Sequence, residues 1–307
     1  MTLAVVGAGA MGGLWAACLA AKHEVVIVDV AAEVVAAIGA SGISIQAADG
    51  SQQVARVRAT SDPGAVGPVD VLFIFVKAHH TAAAAEQIQP LVGPNTIVAT
   101  LQNGLGNAEV LAGVFPDDQI VVGVTYHSAR VLEPGKVAHT AHGPTFVGPH
   151  VNGAALDHAE TVARLLGTAG LDVRATPNVK MEIWKKLVLN SAALPVTALA
   201  RVTASACNES PQLRALVDAV ATESVTVARA LGYDIDLQER LDRIHTAQAN
   251  SRGGKGSMLQ DVEAGRKTEI EVINGAVVHA ADQVGVDVPL NRAMMALIRG
   301  VESGAGS

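Results

Sequence analysis

Lys186 and Asn190 stand four residues apart in Ile183-Trp184-Lys185-Lys186-Leu187-Val188-Leu189-Asn190, which puts both on one face of a helix. Leu187, Val188, Leu189, Ala192, Ala193 and Leu194 make that helix apolar on most faces, as a buried helix is. A lysine among apolar neighbours loses hydration, its pKa falls toward neutrality, and it can give a proton to a carbonyl oxygen. The plain alternative is that Lys185 and Lys186 face water. Ser257 has Gln260 three residues on, the spacing of a capping box, and it follows the loop Gly253-Gly254-Lys255-Gly256. A helix N-terminus after such a loop also seats a carboxylate. Glu269 falls twelve residues along the helix expected from Met258 to Gln283, about a third of a turn out of phase with Ser257. Among Arg266, Lys267 and Glu271 it reads as a solvated acid.

A second group surrounds Gly7-Ala8-Gly9-Ala10-Met11-Gly12, between the apolar runs Leu3-Ala4-Val5-Val6 and Leu14 to Ala20. That is a buried strand, a tight turn and a helix. Gly7 permits the turn, Gly9 lets the backbone approach a pyrophosphate, and Gly12 lets the helix pack closely. The phosphates would face the helix N-terminus, so Gly7, Gly9, Ala10, Met11 and Gly12 form the candidate cofactor loop. Val25 to Val28 reads as the second strand and ends in Asp29, where an acid grips ribose hydroxyls. In an open α/β sheet ligands gather at the carboxyl ends of strands, where Lys77 (after Val69 to Val76) and Asn103 (after Thr96 to Thr100) also fall. A dinucleotide fold with neither a nucleophile elbow nor a metal cluster points to hydride transfer, for which the protein supplies orientation and a proton.

The elements that must position these groups divide the chain. Residues 1–177 alternate strand and helix, with a helix over Ala31 to Ala40 and a hairpin from Gly42 to Val57. Ile120 to Thr125, Gly135 to Thr140 and Thr145 to Gly148 are expected as antiparallel additions at the sheet edge. A helix over His158 to Gly170 and a strand over Asp172 to Ala175 close the domain. Beyond Thr176-Pro177-Asn178, residues 178–307 read as helices near 179–206, 212–231, 237–249, 258–283 and 291–301. The expected fold class is α/β: an N-terminal Rossmann-type doubly wound sheet followed by an all-α C-terminal domain, with the site in the cleft between them. The tail Gly304-Ala305-Gly306 is expected to fray.

Composition excludes several classes. A net charge of −7 without a Lys/Arg cluster argues against nucleic acid, and aromatics at 3% leave no stacking platform. No apolar run approaches the ~20 residues of a spanning helix, and the N-terminus does not read as a signal peptide. Two distant cysteines, Cys18 and Cys207, make no disulfide framework, so a soluble, cytoplasmic protein is expected. His79-His80 and His139-Thr-Ala-His142 lack a third ligand at helical metal-site spacing, so no metal is expected.

The chain resembles the ketopantoate reductase (2-dehydropantoate 2-reductase) family along nearly its whole length. The resemblance rests on Gly7 to Gly12, Val76-Lys77, Gln102-Asn103-Gly104-Leu105-Gly106, Trp184-Lys185-Lys186-Leu187 with Asn190, Ser257-Met258-Leu259-Gln260-Asp261 and Lys267 to Gly275. It implies a Rossmann domain plus a helical domain, and hydride transfer between a nicotinamide and a small 2-oxo or 2-hydroxy acid. It further implies Lys186 as general acid, Glu269 holding the substrate hydroxyl, Ser257 binding the carboxylate, and Asn103 and Lys77 lining the nicotinamide side. Asn190, one turn beyond Lys186, is the other candidate substrate contact.

Three departures shape the expected specificity. The family's asparagine before the proline matching Pro195 is Leu194 here, and another falls at Ala204, so a more apolar acid is favoured. The family's arginine for the 2′-phosphate of NADPH is absent from Asp29-Val30-Ala31-Ala32-Glu33, which favours NAD, with NADP the alternative. The reading is therefore a 2-dehydropantoate 2-reductase-like enzyme. A D-2-hydroxyacid dehydrogenase for an apolar acid stands beside it, as does a dinucleotide sensor without turnover. Oligomeric state stays open, a homodimer included.

Overall fold

The computed structural model describes residues 1–47, 49–251 and 253–304; Ala305 and Gly306 of the expected frayed tail lie outside them. The chain divides into two compact units, residues 1–102 with 107–179, and 103–106 with 180–307.

The first unit opens with β1 (Thr2–Val6), α1 (Ala10–Ala20), β2 (Glu24–Val28) and α2 (Ala32–Ser41), the strand, turn and helix that the glycine loop demands. Next come β3 (Ile43–Gln46), β4 (Gln52–Ala55), β5 (Arg58–Thr60), β6 (Val71–Ile74), α3 (Thr81–Gln87), β7 (Ile97–Thr100) and α4 (Asn107–Ala112). β8 (Ile120–Thr125), β9 (Ser128–Glu133), β10 (Lys136–Ala141), β11 (Thr145–Pro149), α5 (Asp157–Thr168) and β12 (Val173–Ala175) complete the unit. Among the described residues eight strands form one sheet in the order β12-β11-β8-β7-β6-β1-β2-β5. Neighbours are parallel except β8 with β11. Because β1 has β2 on one side and β6 on the other, the strand order reverses at β1, and the glycine loop sits at that switch point.

The stretch from 120 to 148 departs from expectation. β8 lies inside the main sheet, parallel to β7, and only β11 adds antiparallel to it. β10 leaves for a second sheet, β4-β3-β10-β9, where it pairs parallel with β3. The physical reason lies in α1, which is apolar on all sides and packs against β9, β10, β3 and β4 as well as β1 and β2. A helix apolar all round needs cover on both faces, and the second sheet supplies it. Trp15 on α1 is fully buried, its ring 6.3 Å from that of Phe73 and 5.3 Å from that of Phe75.

The second unit holds, among the described residues, α6 (Val179–Ala200, whose first residue belongs to the first unit), α7 (Ala204–Glu209), α8 (Pro211–Ala230), α9 (Leu237–Ala249), α10 (Ser257–Glu263), α11 (Asn274–Val284) and α12 (Pro289–Gly304). Two expected helices are broken. The 179–206 helix stops because Arg201 turns left-handed at φ 54°, and Thr203 caps a new helix. The 258–283 helix stops at Glu263 because Gly265 is left-handed at φ 63°, and helix resumes only at Asn274 after a single 3-10 turn, Ile270–Val272. Glu269 is therefore not on the helix of Ser257.

Buried amides and hydroxyls fix the helix register. Asn274 donates to the Ser191 carbonyl at 2.9 Å and to Asn291 Oδ1 at 3.0 Å, and the Ser191 and Ser224 hydroxyls lie 2.9 Å apart. Among the described residues no helix is long and apolar enough to cross a membrane.

Candidate active site

In the first unit the glycine loop takes the shape its spacing foretells, with one change of role. Gly7 is left-handed at φ 91°, and a Cβ there would stand 3.0 Å from the Val76 nitrogen. A Cβ on Gly12 would lie 1.9 Å from the Gly7 carbonyl oxygen, so Gly12 makes room for the turn itself. Gly9 has nothing within 4 Å of its Cβ position. It needs to be glycine for no neighbour in the chain, which is what a ligand-approach position requires. α1 starts from Gly9 with no side-chain cap and no acid in its first turn, and Ala10 and Met11 open it. Its leading amides suit an anion.

Asp29 follows β2 and is held by two backbone donors. Its Oδ2 accepts from Ala8 N at 2.6 Å and its Oδ1 from Ala31 N at 2.9 Å. The carboxylate thus braces the glycine loop, and each oxygen keeps a second lone pair for a hydroxyl donor. These residues fit a nicotinamide dinucleotide: loop amides for the pyrophosphate, Asp29 for ribose hydroxyls.

Lys77 lies just past β6, partly buried, and leads the 3-10 turn Ala78–His80. Sequence reasoning passed over Gln102, whose amide donates to the Val76 carbonyl at 2.7 Å and to Thr81 Oγ1 at 2.9 Å while its oxygen accepts from Thr100 at 2.9 Å. It fixes the chain directly before Asn103, and its polarity at the end of a buried strand was the available signal.

In the second unit the structure joins Lys186, Asn103 and Glu269. Lys186 Nζ donates to Asn103 Oδ1 at 2.8 Å, and Asn103 Nδ2 donates to Glu269 Oε2 at 3.3 Å. Asn103 is carried there by the 103–106 segment, anchored where Leu105 N donates to the Val272 carbonyl at 2.9 Å. Gly104, at φ 83°, admits that approach, since a Cβ would lie 2.1 Å from the same carbonyl. Lys186 is partly buried, and loss of hydration lowers its pKa from 10.5 to about 8, against the pull of the Glu269 charge, which raises it. Glu269 is only 9% exposed, so the solvated reading fails.

Asn190 is buried one turn beyond Lys186 on α6. Ser257 is exposed at the first position of α10. The expected capping box is absent because Gly256 occupies the cap and no side chain caps the helix; Gln260 instead donates to the Lys255 carbonyl at 2.8 Å. A Cβ on Gly256 would stand 3.0 Å from Leu194 Cδ2, so this apolar side chain lies against the turn before Ser257.

Comparison with known proteins matches residues 3–152 to the family model described as ketopantoate reductase PanE/ApbA, and residues 178–302 to its C-terminal counterpart. The 2-dehydropantoate 2-reductase of Archaeoglobus fulgidus is 34% identical over 98% of this chain and 97% of its own. That of Halobacterium salinarum is 33% identical over 97% and 98%. Among solved structures, the ternary structure of D-mandelate dehydrogenase with NADH and anilino(oxo)acetate superposes with a TM-score of 0.94 at 25% identity, covering 100% of this chain and 99% of that one. The 2-dehydropantoate 2-reductase of Geobacter metallireducens gives 0.92 at 28% identity, over 98% and 99%.

Proposed function

Because the chain belongs to the ketopantoate reductase family, and so to the oxidoreductases that use a nicotinamide cofactor on small 2-oxo acids, we propose that it interconverts a 2-oxo acid and its 2-hydroxy acid with Lys186 as acid and base. The observation that carries this reading is the chain of bonds from Lys186 through Asn103 to Glu269, with a lysine whose pKa is about 8.

A nicotinamide dinucleotide held by the glycine loop and Asp29 would supply the hydride. Lys186 supplies the proton: with a pKa of about 8 its ammonium predominates at neutral pH, yet it releases a proton far more readily than a solvated lysine. Asn103 takes one of its three N–H bonds and so limits how the amine turns. Glu269, buried and oriented by the other end of Asn103, accepts a substrate hydroxyl. The exposed Ser257 hydroxyl receives the substrate carboxylate, and Leu194 beside Gly256 favours an apolar substituent. Asp29, with no arginine up to Glu33, favours NADH over NADPH by repelling a 2′-phosphate.

A second reading within the same chemistry is a D-2-hydroxyacid dehydrogenase for an apolar acid. It is favoured by Leu194 and by the likeness to D-mandelate dehydrogenase. Measuring kcat/KM for ketopantoate and for straight-chain and aromatic 2-oxo acids, each with NADH and NADPH, tests both. Preference for NADH is expected; tenfold or better with NADPH would refute the cofactor assignment. Aromatic acids outrunning ketopantoate would select the second reading. Lys186→Ala is expected to lower kcat by roughly 10²- to 10⁴-fold, whereas an effect confined to KM would make Lys186 a binding residue.

A further inference from the structure

Three imidazoles that hydride transfer does not use lie together in the first unit. His127 stands in the turn between β8 and β9, His139 within β10, and His142 just past its end. Strand pairing brings them together: β9 runs antiparallel to β10 with Ala129 opposite His139 and Ser128 opposite Ala141, so the residue before Ser128 returns to the end of β10. The next loop closes on the same turn, where Tyr126 N donates to the Pro144 carbonyl at 3.0 Å. The spacing of His139 and His142 was visible in the sequence, but the third imidazole is supplied by sheet topology.

The geometry is that of a ligand set slightly contracted. One nitrogen of each ring lies within 4.8 Å of the others, and His127 Nδ1 and His139 Nε2 are 2.9 Å apart, sharing a hydrogen bond whose proton an ion would displace. A tetrahedral ion binding imidazole nitrogens at about 2.0–2.1 Å would hold them about 3.3 Å apart and the ring centres about 5 Å apart. The ring centroids here are 5.1 Å apart for His127 and His139, 5.8 Å for His127 and His142, and 3.9 Å for His139 and His142. Opening the first pair by a few tenths of an ångström and turning the exposed His142 would meet the requirement.

The two inner rings are both buried, His127 and His139 each at 8% exposed. The outer nitrogen of His127, Nε2, has no hydrogen-bond partner among the described residues, which makes this ring costly to bury as an ordinary packed histidine.

We propose that His127, His139 and His142 form a binding site for a borderline divalent transition-metal ion, Zn²⁺ foremost, with the exposed His142 at its entrance and a fourth position for water. An all-nitrogen set selects zinc, copper or nickel over the oxygen-seeking magnesium and calcium. The ion would tie the β8–β9 turn to β10, and so the main sheet to the second sheet.

The test is equilibrium dialysis of the tag-free full chain against micromolar ZnCl₂, reading bound zinc by elemental analysis and Tm by melting. One equivalent of zinc and a raised Tm are expected, with no uptake of Mg²⁺. His142→Ala, at an exposed position that leaves the fold intact, is expected to weaken zinc binding about tenfold or more. His139→Gln is expected to abolish it. The double variant His79→Ala/His80→Ala, which removes an exposed histidine pair elsewhere, is expected to bind as the wild type does. Absence of stoichiometric zinc in the wild type, equal binding by His142→Ala, or loss of binding in the His79/His80 variant would each overturn the proposal.

Discussion

Lys186 is held against its own electrostatic preference. Its pKa of about 8 in the fold lies below the 10.5 of a solvated lysine, so folding favours the neutral amine. The cost of carrying the charge is therefore present in full below about pH 8 and fades as pH rises toward 10.5. Lys186→Met, which keeps the stem and drops the charge, is expected to gain about 1–3 kcal/mol of stability at pH 7 while losing activity. Denaturant melts measure this, and a less stable variant would mean that the bond to Asn103 outweighs the desolvation. The same pKa sets a pH profile: kcat for reduction should fall through about pH 8, and kcat for oxidation should rise there. Glu269→Gln removes the charge that raises that pKa, so the limb should move to lower pH; an unmoved limb would exclude Glu269 as the charge partner. That Lys186 and Asn190 share one face of an apolar helix was legible from their spacing. Glu269 was not, because its burial depends on partners such as Asn103 that are remote in sequence. The capping box expected at Ser257 does not form, because Gly256 fills the cap position without a side chain.

Among the elements, the strand, turn and helix around Gly7 were legible because each glycine answers a local steric demand. The second sheet was not, because β9 is largely exposed and carries no clean alternation to mark it. A left-handed glycine ended one helix unnoticed, at Gly265. The left-handed Gly104 has a more direct bearing on chemistry. Gly104→Ala would set a methyl group 2.1 Å from the Val272 carbonyl and force an L residue to φ 83°. A loss of about 1–3 kcal/mol is expected from the conformation alone, with a fall in kcat as Asn103 is drawn from Glu269. Melting and steady-state rates together test this; full kcat in a destabilised variant would show that Asn103 need not stay on Glu269.

For the molecule as a whole, alternating strands followed by helices were enough to read a parallel sheet and a helical remainder. How the chain is shared between the two units was hidden, because residues 103–106 pack with a unit whose other residues begin at Lys180. That four-residue detour makes the helices from Lys180 onward dependent on a peptide outside their own run of sequence. Residues 180–307 expressed alone should lack the Asn103 partner of Lys186 and leave the Val272 carbonyl without its amide. The fragment is expected to melt less cooperatively than the same unit within the whole chain, and an equally cooperative melt would argue against this dependence. During synthesis, Asn103 to Gly106 leaves the ribosome well before the helices that will hold it, so the segment that carries the Asn103 partner of Lys186 is anchored only after Val272 has been made. An inheritance of the helical half by gene fusion or fission would have to carry those four residues with it.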